Sequence, residues 1–498
     1  MRFFSKRNWI CGALMALFGF IAPGAQAFSL LGPFEPWMTI TNGFEPGYDI
    51  GGPLSIGKGY RWNVPVVTYG FDASFTNYFG TNGVAAVESA ISLVNALPPA
   101  SQLNPANFPE DTTGYNYAAQ SQDLYDLKSA TLALLVEHLG LASPSRFAYT
   151  LKDFSITNGV VTGNVLSRSY DPVTGQPSSF VNGTQYTYDL IQFAPGWAEA
   201  NTFTTSPQAP AFTAVADNVD WGGDIPLGSF AGAFYTGLTS DDIGGLAYLY
   251  STNNVNYENL LPDVQGTGAI IVVNGALRPG VDKVTFAPQP VSVTGAFVAV
   301  TNLFTDTYIT NGVAMQQRLA RVTQQPDFLF TATDLVSSSY LYDRTGTTNW
   351  ANNAALNGQI SGAGPGVIQP PVNFSFNKLG QSWENAGGNE DAATQNPPLV
   401  WGTFDGSPNP PIPYPQAGAA PLSSPVRVTI GLTPPGSKPT AANFRWVLNS
   451  GIAGYNFQTS TNPSNWTTLF AITNNGSANY YVDEQPASSQ RYFRVVPQ

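Results

Sequence analysis

A chain with one histidine and one cysteine among 498 residues has few ways to do nitrogen- or sulfur-based chemistry. The histidine, His138, stands in Leu134-Leu135-Val136-Glu137-His138-Leu139-Gly140-Leu141, beside a carboxylate and close in sequence to Ser143 and Ser145. An imidazole in that company could serve a serine as general base. No Gly-x-Ser-x-Gly elbow occurs, however, and nearness in sequence does not make a dyad. His138 also falls on or beside the apolar face of its helix. There a packed, hydrogen-bonded ring near the helix C-terminus is the plainer role. No catalytic residue is assigned.

The second group is oxygen-based. Asp217-Asn218-Val219-Asp220-Trp221-Gly222-Gly223-Asp224 places three carboxylates and two glycines in eight residues. Oxygen-rich turns of this kind can wrap a calcium ion, so Asp217, Asp220 and Asp224 are the candidate metal ligands, although EF-hand spacing is absent. An Asx-rich turn that caps its own backbone is the alternative. Asp220 and Asp224 as an acid–base pair is another. Calcium is the one candidate cofactor. For ligand binding, Trp383, followed by Glu384 in a loop rich in Gly and Asn, could present a platform to a sugar ring. Trp401, Trp466, Tyr455 and Tyr480 extend the aromatic set, with Trp466 better suited to filling a sandwich core. Gly362-Ala363-Gly364-Pro365-Gly366 lacks the Lys-Ser/Thr of a nucleotide loop and reads as turns.

The N-terminus has the order of a secretory signal. Arg2, Lys6 and Arg7 precede an apolar run from Ile10 to about Pro23, and Ala25-Gln26-Ala27 is a small-residue cleavage site. The expectation is a removable signal at 1–27, with cutting before Phe28 and no membrane span afterwards. The single cysteine, Cys11, lies within that signal, so the mature chain would have no thiol, disulfide or cysteine-held metal. Charged residues make up 10% of the chain, against about 25% in ordinary soluble proteins. Loss of three cations with the signal would make the formal net charge of −12 more negative still. Such a surface is a poor partner for nucleic acid, which demands clustered Lys and Arg. An extracellular protein or a glycan is the expected partner, and a secreted or cell-surface address is expected.

These residues need elements to hold them. Pro65–Phe71 reads as a strand, and Val84, Val87, Ile91, Val94 and Leu97 repeat every three or four residues, as on a helix stopped by Pro98-Pro99. A second helix is expected from about Ser121 to Leu141. A third begins at Leu238-Thr239-Ser240-Asp241-Asp242-Ile243, with Ser240 as N-cap and two aspartates at the positive end of the dipole. From Ala269 to about Asn377 the pattern is nearly all β, Gln316–Val322 fitting helix or strand equally. Gln395–Pro425 is Pro-rich and reads as a stiff extended linker. Six short strands between Val426 and Gln498 suggest a small β-sandwich. The expected fold class is multi-domain: an α+β domain at 28–255, a β-rich domain at 256–394, a linker at 395–425 and the sandwich at 426–498.

Two stretches resemble known families. The Val66–Phe71 strand, the Val84–Leu97 helix and the later Leu238–Leu246 start, followed by Leu249-Tyr250, resemble the opening and closing elements of matrixin-like zinc metalloprotease domains. Tyr455–Ser460, Asn465–Leu469 and Arg491–Val495 resemble a fibronectin-type-III-like module of exported bacterial proteins. The first resemblance implies a zincin scaffold, and such a scaffold holds zinc with three histidines, two of them four residues apart on one helix beside a glutamate base. One histidine cannot meet that demand, and carboxylates bind zinc too weakly and unselectively to replace imidazoles. The methionine turn of that family has no counterpart either, since Met38 precedes the domain's elements and Met315 lies beyond them. The N-terminal domain is therefore expected to be a degenerate, metal-free zincin-like scaffold. The function expected is that of an exported non-catalytic surface or matrix-type protein carrying β binding modules. The alternatives are a carboxylate-dependent extracellular hydrolase of glycan or peptide and a carbohydrate-binding protein.

Overall fold

The computed structural model describes residues 26–44, 50–122, 124–205, 214–219, 231–268, 271–333, 342–343, 349–352, 366–377, 400–414, 442–446, 454–462, 465–473, 479–483 and 492–497. Among them the chain is mostly β, in several sheets, with four α-helices: α1 at Ala73–Asn95, α2 at Tyr117–Gln120, α3 at Leu127–Glu137 and α4 at Ser240–Tyr250. No helix among the described residues is long and apolar enough to cross a membrane. The expected signal at 1–27 lies outside them except for Gln26 and Ala27.

A five-stranded sheet forms the centre. Val66–Phe71 pairs in parallel with Thr285–Pro288 on one side and Phe328–Thr333 on the other. Phe328–Thr333 then pairs in parallel with Val372–Asn377, and Tyr342–Asp343 closes the edge antiparallel. Parallel strands form where both faces are covered, and these are apolar enough to be covered. Phe328, Phe330, Phe374 and Phe376 are all buried, with the Phe330 ring tilted against Phe374 at 5.2 Å. The pairing crosses the boundary expected at 255/256, because the strand before it finds its neighbours after it. Residues on both sides therefore share one core.

Helix α1 lies on this sheet. Asp72 starts it by accepting the Phe75 N–H at 2.9 Å. The helix begins well before the Val84–Leu97 stretch that periodicity marks, by way of a break at Gly80 (φ 60°, ψ −161°), a conformation open to a residue without Cβ. Its buried stripe of Phe75, Phe79, Ala86, Val87, Ala90, Ile91 and Val94 follows helical spacing. Helix α3 is shorter than expected. Leu124–Asp126 is a strand rather than the first turn, and Asp126 caps α3 by accepting the Ser129 N–H and hydroxyl at 2.9 and 2.6 Å. All its residues but Lys128 are buried, so it has no polar face to mark its period.

The Pro-rich stretch is corrected over 400–414. Val400–Gly402 pairs in parallel with Leu124–Asp126, Trp401 is 1% exposed and Tyr414 0%. Two aromatic side chains with an apolar site to fill outweigh the stiffness of the prolines between them. The segment is a docked arm there. A second sheet, entirely antiparallel, holds Asn256–Glu258, Ala276–Arg278, Val300–Thr310, Val313–Thr323 and Val264–Gly266 in that order. Gln316–Val322 is thus strand. Ile271–Val273, expected as part of a strand, is not in one. Near the C-terminus Ala442–Trp446 pairs with Asn479–Asp483, and Gly454–Asn462 lies between Asn465–Thr473 and Tyr492–Pro497. The strand expected at Val426–Ile430 lies outside the described residues.

Buried arginines tie these parts together. Arg61, 0% exposed, donates to Glu258 at 2.8 Å and to the carbonyls of Leu249, Asn254 and Arg278 at 2.8, 2.8 and 3.0 Å. Arg321 donates to Asp263 at 2.9 Å and to both oxygens of Asp327 at 2.9 and 2.5 Å. Asp327 also accepts the Thr68 N–H at 2.7 Å, which locks the central strand to the later hairpin.

Candidate functional site

Helix α3 ends at the one imidazole. His138 is 0% exposed and packs edge-on against Phe374 at 4.8 Å and Phe328 at 6.1 Å between ring centres. Its Nδ1 lies 2.9 Å from the Leu134 carbonyl, which can only accept, so Nδ1 carries the proton there. The Glu137 carboxylate is 3.6 Å from the same nitrogen. The His138 carbonyl accepts the Trp62 indole N–H at 2.8 Å. Gly140 follows at φ 104°, and a Cβ on it would sit 2.1 Å from the Tyr60 carbonyl oxygen, so only glycine fits the turn. The ring is thus a helix-terminal group inside an aromatic core.

The serines considered as its partners face elsewhere. Ser143 and Ser145 donate their hydroxyls to Asp217 Oδ1 at 2.6 and 2.9 Å, the Ser145 N–H reaches the same oxygen at 3.0 Å, and the Ala214 N–H holds Oδ2 at 2.9 Å. A histidine–serine dyad is therefore not assembled. Of the candidate calcium ligands, Asp217 is 3% exposed with both oxygens engaged in this way. Asp220 and Asp224 lie outside the described residues, as does Trp383. No group of three or more His, Cys, Asp or Glu side chains among the described residues is placed to hold a metal.

Two further carboxylates converge with Asp217. Thr239, not Ser240, is the N-cap of α4, and Asp242 accepts its N–H and hydroxyl at 2.9 and 2.7 Å. The same carboxylate accepts the Val215 and Ala216 N–H groups at 3.0 Å each, so it fastens the turn carrying Asp217 onto the start of α4. Asp241 accepts the Asn182 N–H at 2.5 Å and returns a backbone bond to Asn182 Oδ1 at 3.2 Å. Placing this doublet at the positive end of the helix dipole did not reveal its inward role. Two adjacent acids in a chain with 10% charged residues are the signal that could have shown it.

Burial dominates the titration of these groups. It pushes the Asp217 carboxyl up to about 7 against its serine bonds, with Asp242 adding to the rise. Burial likewise raises Asp241 well above the usual carboxylate range, raises Asp242, and lifts Asp126 to about 6. Each folded value exceeds the unfolded one, so between about pH 4 and about 7 the native state binds more protons than the unfolded state. Stability must then fall as pH rises through that window. The expected result is an unfolding free energy from urea titration that is higher at pH 5 than at pH 8, by an amount on the order of a few kcal/mol. Asp217→Asn should flatten the profile. An unfolding free energy that rises with pH would contradict the assignment.

Compared with family models, curated proteins and solved structures, the chain matches none of them.

Proposed function

We propose that this chain is an exported, non-catalytic binding or matrix-type protein whose first half keeps a metalloprotease-like scaffold without its metal. The observation that supports this reading most strongly is the position of His138. The one side chain that could begin a zinc site or a base-catalysed hydrolysis is enclosed between Phe328 and Phe374, with its Nδ1 spent on its own helix. Around it, the turn after α3 is closed by hydroxyl and carboxylate groups that satisfy one another rather than a substrate. Catalytic groups need reach to the reacting atoms, and these have none.

The β modules and the weakly charged exterior are consistent with display or adhesion outside the cell. The C-terminal strands, which resemble a fibronectin-type-III-like module, belong to the same proposal. The test is direct. Purified mature protein, equilibrated with zinc and desalted, should retain well under one equivalent by elemental analysis. It should also leave a generic unfolded-protein substrate uncut, with or without chelator. Stoichiometric zinc or chelator-sensitive proteolysis would end the proposal.

A further inference from the structure

We propose that the cleft beneath the docked arm binds a short neutral glycan, an inference that rests on the reading of this chain as a binding protein. The cleft, open to solvent, has a volume of about 590 Å³ between α1, the first turn of α3, Phe234–Thr236 and the 400–414 arm. That volume falls within the range of about 300–1,000 Å³ typical of small-molecule sites. It is distinct from the region around His138.

Two charged groups face it without pairing. Lys128, half-buried in the first turn of α3, makes no hydrogen bond or ion pair with the described residues. The helix dipole disfavours a cation in that turn, although the charge of Lys128 acts on the buried cap Asp126 as well as on the cleft. Asp405, on the arm, lies close enough to feel the Lys128 charge, yet no ion pair joins them. Ser407 holds the Asp405 carboxylate through its N–H at 2.9 Å. The remaining polar lining includes Asn82, Ser89 and Asn409, whose side chains both donate and accept.

That inventory selects the ligand. It comprises one group that only donates, one that only accepts and several that do both. An apolar ligand would strip water from Lys128 and Asp405 and return nothing. An anion would satisfy Lys128 but be repelled by Asp405. Vicinal hydroxyls, by contrast, accept from an ammonium and donate to a carboxylate at once. Phe234 and Phe404, both buried, meet edge-to-face at 6.2 Å and close the apolar part of the wall. The site is formed in advance, because Trp401 and Tyr414 anchor the arm and Asn116 Nδ2 holds the Asp405 carbonyl at 2.7 Å. Such preorganisation lowers the entropy cost of binding.

Calorimetry on the full mature chain tests this with a panel of neutral oligosaccharides (glucan, xylan, mannan and chitin series), an oligogalacturonate and a tripeptide. Binding of at least one neutral series is expected at sub-millimolar Kd. Lys128→Met and Asp405→Asn should each weaken it about tenfold, the loss expected for one charged hydrogen bond. Both variants should melt as the parent does, and Asp153→Asn on the exposed Thr150–Thr157 strand should bind normally. The proposal fails if no neutral series binds at millimolar concentration, if only the uronate or the peptide binds, or if both cleft variants bind like the parent. Zinc content and proteolysis, measured on the same preparation, report separately on the non-catalytic reading.

Discussion

Replacing Arg321 by Met is expected to destabilise the protein by about 3–5 kcal/mol, the range for removing one partner of a buried ion pair. Arg321 is 1% exposed and answers both oxygens of the equally buried Asp327. Without it, Asp327 keeps only the Thr68 N–H at 2.7 Å and the Thr68 hydroxyl at 3.1 Å, bonds too few to repay burial of a bare carboxylate. Asp263, the other partner, is 29% exposed and can turn to water, so its loss adds little. The double replacement Arg321→Met with Asp327→Leu should recover much of the stability, because removing both charges also removes the desolvation cost. Urea unfolding of the three proteins measures this. A cost below about 1 kcal/mol for the single variant would show that Arg321 is not the staple described.

Phe374→Ala should cost a similar amount, about 3–5 kcal/mol, for a different reason. The ring is fully buried in the central sheet, 5.1 Å from Phe328, 5.2 Å from Phe330 and 4.8 Å from His138. Truncation removes those contacts and leaves a void that neighbouring rings, already held by parallel pairing on both sides, cannot collapse to fill. Phe374→Leu should cost less than half as much, since most of the volume is kept. Equal losses for the two would point to something other than packing.

Much of the architecture was readable from residue pattern. The place where α4 starts, the apolar stripe of α1 and the dominance of strands after residue 256 all follow from local periodicity and turn residues, although the cap of α4 is Thr239 rather than Ser240. Three features could not be read that way. Val66–Phe71 finds both its parallel neighbours more than two hundred residues downstream, and no local signal records such pairing. Helix α3 is buried almost all round, which erases the polar stripe by which a helix and its ends are recognised. The arm at 400–414 looks like a linker because its prolines cluster between 408 and 413, while the aromatics that dock it, Trp401 and Tyr414, stand at its two ends.

The site was legible in part for the same physical reasons. That one histidine cannot build a three-imidazole cage is a matter of counting and needs no coordinates. That Asp217 would be met by Ser143 and Ser145, and that Asp241 and Asp242 would face inward, depends on how α3, α4 and the turn at 214–219 come together. Lys128 and Asp405 are separated by more than two hundred and seventy residues and line one cleft only because the arm docks.

Access to His138 tests the central claim most directly, and the chain's single imidazole makes the readout unambiguous. Diethyl pyrocarbonate labelling, followed by mass spectrometry, should leave His138 unmodified in the folded protein until global unfolding exposes it, at a rate that added zinc does not change. Rapid labelling of the native protein, slowed by zinc, would mean an open, metal-accessible ring and would contradict the account.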